Sequence, residues 1–211
     1  MSKQVSGLYA VTPELADTAA LTGKVDAALR GGARVIQYRS KSIDDSMRRS
    51  QAREIARLCR STNAVFIVND SLELAREVDA DGVHLGKDDG DVVAARAVLG
   101  PGKLIGVSCY NEIARARAAQ SQGADYVAFG SFFPSATKPL AARAGTELLQ
   151  MAVSELALPI VAIGGINEDN AAGLISAGAG AVAVVSALFD APDIEAQARR
   201  IARLFQISVH S

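Results

Sequence analysis

The chain has 211 residues, 49% of them hydrophobic and 21% charged, with 22 Lys+Arg against 23 Asp+Glu. A chain of this length buries roughly 70% of the surface its unfolded form exposes, so a single domain over residues 1–211 is expected without disulfide or metal staples. A net charge of −1, few aromatics and no Trp argue against nucleic acid as a partner.

The N-terminal stretch MSKQVSGLYAV lacks the apolar core of a signal peptide. AGAGAVAVVSALF, the longest apolar stretch, is too short and Gly-rich to span a membrane. Cys59 and Cys109 are too few for a disulfide framework. A cytoplasmic globular protein is expected, its oligomeric state left open, a homo-oligomer included.

In chain order, short apolar runs alternate with amphipathic ones. GLYAV (Gly7–Val11) and RVIQY (Arg34–Tyr38) come first. The next segment places Ala52, Ile55, Ala56 and Cys59 on one helical face, and Ser42 with Asp45 has capping-box spacing. VFIV (Val65–Val68), GVHL (Gly82–Leu85), LIGV (Leu104–Val107) and YVAF (Tyr126–Phe129) follow, then IVAI (Ile160–Ile163). Asn167 is placed to cap a helix over Glu168–Ala177, which Gly178 stops. AVAVV (Ala181–Val185) is the eighth run, and Ile194, Ala198, Ile201 and Phe205 line the last helix.

The eight runs are continuous rather than alternating, as parallel strands buried on both faces require. Junctions recur as GGARV, DADGV, GADYV and GAGAV. Together these features predict a (β/α)8 TIM barrel. An open doubly wound sheet is the alternative, but no GxGxxG follows the first strand.

In such a barrel, function sits on the loops after the strands. Those positions hold Arg39 and Lys41, Asn69 and Asp70, Asp88 and Asp89, Ser108, then Ser135, Thr137 and Lys138, and finally Gly164–Gly165 and Ser186. The last two loops have the composition of a phosphate site, with tight packing beneath a short loop as the other reading. SATK makes a second anion cradle, with Arg39 and Lys41 adding cations. Asp70 and Asp89 follow neighbouring strands and suit a Mg2+ bridging phosphates, unless Asp70 or Asp88 is a helix cap. His84 is either a hydrogen-bonded core residue or part of the site. Cys109 has no base indicated to activate it. No catalytic triad, HExxH or dinucleotide fingerprint is present. The pattern suits chemistry whose leaving group is a phosphate or diphosphate.

At these residues the chain resembles the thiamine-phosphate synthase family. The resemblance is carried by QYRSK (Gln37–Lys41), VND (Val68–Asp70), DGVHLGKDD (Asp81–Asp89) and IGVS (Ile105–Ser108). It continues through GADYVAFGSFFPSATK (Gly123–Lys138), AIGGI (Ala162–Ile166) and VVSA (Val185–Ala187), in family order. It implies a transferase that joins a hydroxymethylpyrimidine diphosphate to a thiazole phosphate, with Mg2+ as cofactor, releasing pyrophosphate. Departure of pyrophosphate would give a pyrimidinylmethyl cation that the thiazole nitrogen captures.

Carried over by position, Gln37, Arg39, Lys41, Asn69 and Lys138 would contact the pyrimidine diphosphate. Asp70 and Asp89 would hold the metal. Ser108 would face the reacting centre or the diphosphate, with Lys138, Ser108 and Arg39 as the catalytic set. Ser135, Thr137, Gly165, Val185 and Ser186 would bind the thiazole phosphate. Tyr38, Lys87, Cys109-Tyr110 and Ser135 depart from the family's usual residues without removing a proposed charge or ligand. The thiazole tautomerase branch of the superfamily and a non-catalytic phosphate-ligand binding protein are the alternatives. Neither accounts for a complete diphosphate and metal constellation.

Overall fold

The computed structural model describes residues 3–41, 43–87, 89–134 and 143–207. Eight parallel strands close into one barrel in sequence order: β1 (Gly7–Val11), β2 (Val35–Tyr38), β3 (Val65–Asn69), β4 (Gly82–Leu85), β5 (Leu104–Tyr110), β6 (Tyr126–Phe129), β7 (Ile160–Ile163) and β8 (Ala181–Val184). The expected (β/α)8 architecture is therefore what the chain forms. Between the strands run α1 (Thr18–Arg30), α2 (Asp45–Thr62), α3 (Leu72–Glu77), α4 (Val92–Leu99), α5 (Ile113–Ser121), α6 (Thr146–Glu155) and α7 (Ala171–Ser176). A short α8 (Ser186–Phe189) and a closing α9 (Ile194–Ile207) follow β8. No described helix is long and apolar enough to cross a membrane.

Period-2 alternation along each strand divides the core in two. One set faces the helices, with Leu8, Ile36, Phe66, Val83, Ile105, Val127 and Val182 against the inner helix faces. The other fills the barrel, with Tyr9, Val35, Ile67, Tyr126, Val161 and Ala183. The barrel face also carries buried polar groups, Gln37 and His84. Ala52, Ile55, Ala56 and Cys59 are buried along α2, as their spacing predicts.

The recurring junction has a physical cause. Gly32, Asn63, Asp79, Gly123 and Gly178 all have left-handed φ. Each is followed by an alanine, Ala33, Ala64, Ala80, Ala124 and Ala179, whose N–H bonds back to the carbonyl five residues earlier. This is the Schellman closure of a helix. The five alanines are all buried, so each turn drops the chain into the next strand. Next in the repeat, Asp81 Oδ2 accepts from Phe66 N (2.8 Å) and Asp125 Oδ2 from Ile105 N (2.7 Å).

Two expected caps differ. Asp44 caps α2, accepting from Met47 N, where Ser42 lies outside the described residues. Asn167 Oδ1 takes the N–H groups of Asp169 and Asn170, but the helix proper starts only at Ala171. A turn intervenes because the Asn167 side chain satisfies those N–H groups locally.

Candidate active site

The ends of β2 and β3 place Lys41 and Asp70 together, with Lys41 Nζ 3.2 Å from Asp70 Oδ2. Asp70 does not cap the following helix. Ser71 does, its hydroxyl accepting from Leu74 N. The Asp70 backbone is instead left-handed, φ 64°, a conformation that Asp tolerates better than most residues. After β4, Asp89 Oδ2 accepts from Gly86 N at 2.8 Å, which folds the loop back on itself. Asp91 caps α4, so the cap does not fall to Asp88, which lies outside the described residues. Two carboxylates thus remain free of capping duty and come to one place. Burial, then the Asp89 carboxyl beside it, raise Asp70 above the ordinary carboxylate range, while Lys41 pulls it back. Like charges held together in this way, hard-oxygen donors both, suit a divalent cation that keeps most of its water. No group of three or more potential ligands is present among the described residues.

A cleft of about 310 Å³ opens beside this pair, lined by Lys41, Asn69, Asp70, Arg48 and Tyr38 among others. Arg48 enters from α2, and its buried Nε has no hydrogen-bond partner among the described residues.

Inside the barrel mouth, Gln37 Nε2 donates to Tyr9 Oη at 2.8 Å. Tyr9 Oη lies 3.0 Å from Tyr126 Oη. Tyr126 Oη lies 3.0 Å from His84 Nδ1, and His84 Nε2 lies 2.8 Å from Ser108 Oγ. The chain of contacts joins β2, β1, β6, β4 and β5. Burial pushes His84 down to about 4, against a smaller opposite effect of Asp89, so the ring is neutral near pH 7. Both readings of His84 therefore meet: it is hydrogen-bonded in the core, and it touches a candidate site residue. Gly106 makes room for the assembly, since a Cβ there would overlap the Tyr126 ring.

At β7, Gly164 and Gly165 pack against Ser131, Phe133 and Pro134, where a Cβ would collide. Tight packing of this loop is thus present, as the bland reading of the motif holds. β8 runs through Val185, the N-cap, into the four-residue α8, and Ser186 is exposed at its start. Ser135, Thr137 and Lys138 lie outside the described residues. Cys109 is the extra residue of a bulge between Ser108 and Tyr110. Burial pushes its thiol up to about 12, in keeping with an inert role.

Residues 8–188 match the family described as thiamine monophosphate synthase. The chain belongs to this family. A thiamine-phosphate synthase of Aromatoleum aromaticum is 56% identical over 202 residues, covering 96% of this chain and 97% of that one. Its counterpart from Methylobacillus flagellatus is 57% identical, covering 95% and 96%. A solved thiamine phosphate pyrophosphorylase from Pyrococcus furiosus superposes with a TM-score of 0.85 at 34% identity, covering 96% of each chain. Membership makes the chain an enzyme, a transferase.

Other residues hold this family's rim in place and were not evident from the sequence. Thr12 Oγ1 accepts from Arg39 N at 2.9 Å. Glu14 accepts from Lys41 N (2.6 Å) and from Ser40 Oγ (3.3 Å), tying the loop after β2 to the loop after β1. Arg115 donates to the carbonyls of Ser108 (2.7 Å) and Gly86 (3.0 Å). Tyr9 and Tyr126 read only as strand aromatics, since nothing local in a sequence shows which hydroxyls meet across a barrel.

Proposed function

We propose that this rim performs the family reaction, the joining of a hydroxymethylpyrimidine diphosphate to a thiazole phosphate to give thiamine phosphate and pyrophosphate. The observation that carries the reading is the Asp70–Asp89 pair beside Lys41, both carboxylates released from capping by Ser71 and Asp91. Asp70 and Asp89 would hold Mg2+, which when bound supplies positive charge to the diphosphate.

Arg39, Lys41 and Asn69 bind the diphosphate, and Lys138 neutralises it as it departs. Gln37 contacts the pyrimidine side, and Ser108 faces the diphosphate at the reacting centre. Gly165, Val185 and Ser186, with Ser135 and Thr137, hold the thiazole phosphate. With its phosphate fixed there, the thiazole nitrogen is positioned to capture the pyrimidinylmethyl cation. No protein nucleophile is needed, which agrees with the inert Cys109. Such a reaction between small soluble molecules, in a protein whose two buried cysteines are free thiols, suits the cytoplasm.

Purified protein mixed with both substrates and Mg2+ should release thiamine phosphate and pyrophosphate in equal amounts, read by mass. Binding of the thiazole phosphate without consumption of the diphosphate would overturn the reading. Ligand titrations refine it: Arg39→Ala should weaken the diphosphate, and Ser186→Ala the thiazole phosphate.

A further inference from the structure

Five polar groups lie in contact inside the barrel, and the His84 ring sits among them. It is buried, with each ring nitrogen against a hydroxyl and no carboxylate among the described residues hydrogen-bonded to it, an environment that holds an imidazole neutral. A neutral imidazole has one donor nitrogen and one acceptor. The direction of the series follows from where each buried proton can go, starting from Gln37. Gln37 presents its Nε2 to Tyr9 Oη at 2.8 Å, and an amide nitrogen only donates. Tyr9 Oη could accept from Tyr126 Oη as well, 3.0 Å away, but its own buried proton has no other acceptor among the described residues, so Tyr9 donates to Tyr126. Tyr126 then donates to His84 Nδ1 at 3.0 Å. The ring proton is left on Nε2, which donates to Ser108 Oγ at 2.8 Å. Ser108 Oγ then accepts from His84, and its own proton is not used in the series.

We propose that Gln37, Tyr9, Tyr126 and His84 form a one-way hydrogen-bond relay that leaves the Ser108 O–H to donate toward the bound substrate, with Tyr126 and His84 as positioning residues. The choice of target rests on the reading of the rim as the pyrimidine-diphosphate site. An anionic diphosphate offers only acceptors, so a hydroxyl that presented its lone pairs there would repel it.

Two features show that the relay aims the hydroxyl rather than supporting the backbone. Arg115 Nε already holds the Ser108 carbonyl at 2.7 Å. The bulge at Ser108–Tyr110 fixes the local register against β6. Removing a relay hydroxyl changes where the Ser108 proton points without moving the serine. Burial strengthens the device, because a group inside the barrel has no water to accept an alternative bond. Tyr9, Tyr126, Gln37 and His84 are each 7% exposed or less.

The direct test is the tautomer of His84, read by nitrogen-15 NMR on the unliganded full chain carrying His210→Ala, so that one imidazole remains. A proton on Nε2 with Nδ1 bare is expected. A proton on Nδ1 reverses the relay and overturns the proposal, whatever the enzyme makes. The second arm is kinetic. Tyr126→Phe keeps the ring but frees both tautomers, and kcat should fall about tenfold, the scale of one hydrogen bond to a charged group. KM for the thiazole phosphate should not change. Tyr9→Phe leaves Tyr126 its hydroxyl but unties it from Gln37, so kcat should also fall, by about threefold and less than in Tyr126→Phe. Equal losses in the two variants, or a loss confined to KM for the thiazole phosphate, would mean packing rather than aiming. If the parent makes no thiamine phosphate, the assigned function fails, while the tautomer measurement still decides the relay.

Discussion

At the helix-to-strand end of the barrel, Asp81 and Asp125 each sit between a backbone N–H and a cation. Lys3 Nζ lies 2.8 Å from Asp81, and Arg96 lies 2.5 Å from Asp125. At the strand-to-helix end, Asp70 and Asp89 sit beside each other, with Lys41 the cation in reach of Asp70. At the helix-to-strand end both carboxylates are satisfied within the protein and hold strand starts in register. The other leaves like charges adjacent, which weakens the folded state and favours a cationic or cation-bearing ligand. The same residue type thus serves stability at one rim and binding at the other.

Asp89→Asn should separate the two most sharply. Its amide oxygen can still accept from Gly86 N, so the loop should keep its shape, while the paired negative charge is gone. We expect kcat/KM to fall about 10²- to 10³-fold, the scale of losing one preorganised electrostatic group, with thermal stability equal to or above the parent. Steady-state rates and melting curves on the same sample check this. A variant that loses stability in step with activity would make Asp89 a structural residue.

Beneath the active rim, His84 gives the next effect. The folded protein keeps it neutral down to about 4, against 6.5 in the unfolded chain. Its contribution is complete above about pH 6.5 and is lost as pH falls, because the unfolded chain takes a proton that the folded one refuses. At 1.36 kcal/mol per pH unit the whole effect is about 3 kcal/mol, about 2 of it gone by pH 5. Asp70, raised, works with the opposite sign and is present in both proteins to be compared. Urea midpoints at pH 7 and pH 5 should show a steep loss for the parent and a shallower one for His84→Asn. Parallel slopes would mean that the ring is not held neutral by burial.

At the other end, Asp125→Ala strands the Ile105 N–H and unpairs Arg96. A buried donor left unsatisfied costs about 1–3 kcal/mol. We expect that loss in urea unfolding, with kcat for the correctly folded fraction unchanged. A fall in kcat at saturating substrate would show that the two ends are coupled.

How much of this the sequence displays follows the same division. The barrel was legible because strand runs such as GVHL and IVAI are local and continuous, and because the repeated junction records a repeated turn. The charges of the rim were legible because they follow strand ends. Whether Asp70 capped a helix was not, since Asp70 and Ser71 are both good caps and only backbone geometry separates them. The relay was hidden for a different reason: Tyr9, His84 and Tyr126 are far apart in the chain, and barrel closure alone brings their polar atoms within hydrogen-bond distance.

The smallest expected effect puts one conformation to both uses. Asn63 and Asp70 have nearly the same left-handed φ, 56° and 64°. Asn63 ends α2 in a Schellman turn whose bonds are all made by backbone, Asn63 N to Arg60 O and Ala64 N to Cys59 O. Its side chain is exposed and the turn does not require it. Asn63→Gly relieves the left-handed strain, worth 1–2 kcal/mol for ordinary residues and less for Asn, and returns part of it as unfolded-chain entropy. The net should be a gain between zero and about 1 kcal/mol, with activity unchanged. Asp70→Gly relieves the same strain and should melt no lower than the parent, yet lose turnover as Asp89→Asn does. If Asn63→Gly instead destabilised by more than about 1 kcal/mol, the Asn63 side chain would be holding the junction, and the backbone account of the repeat would be wrong at this turn. If Asp70→Gly kept its turnover, the left-handed residue after β3 would be a turn like that one, with no part in binding.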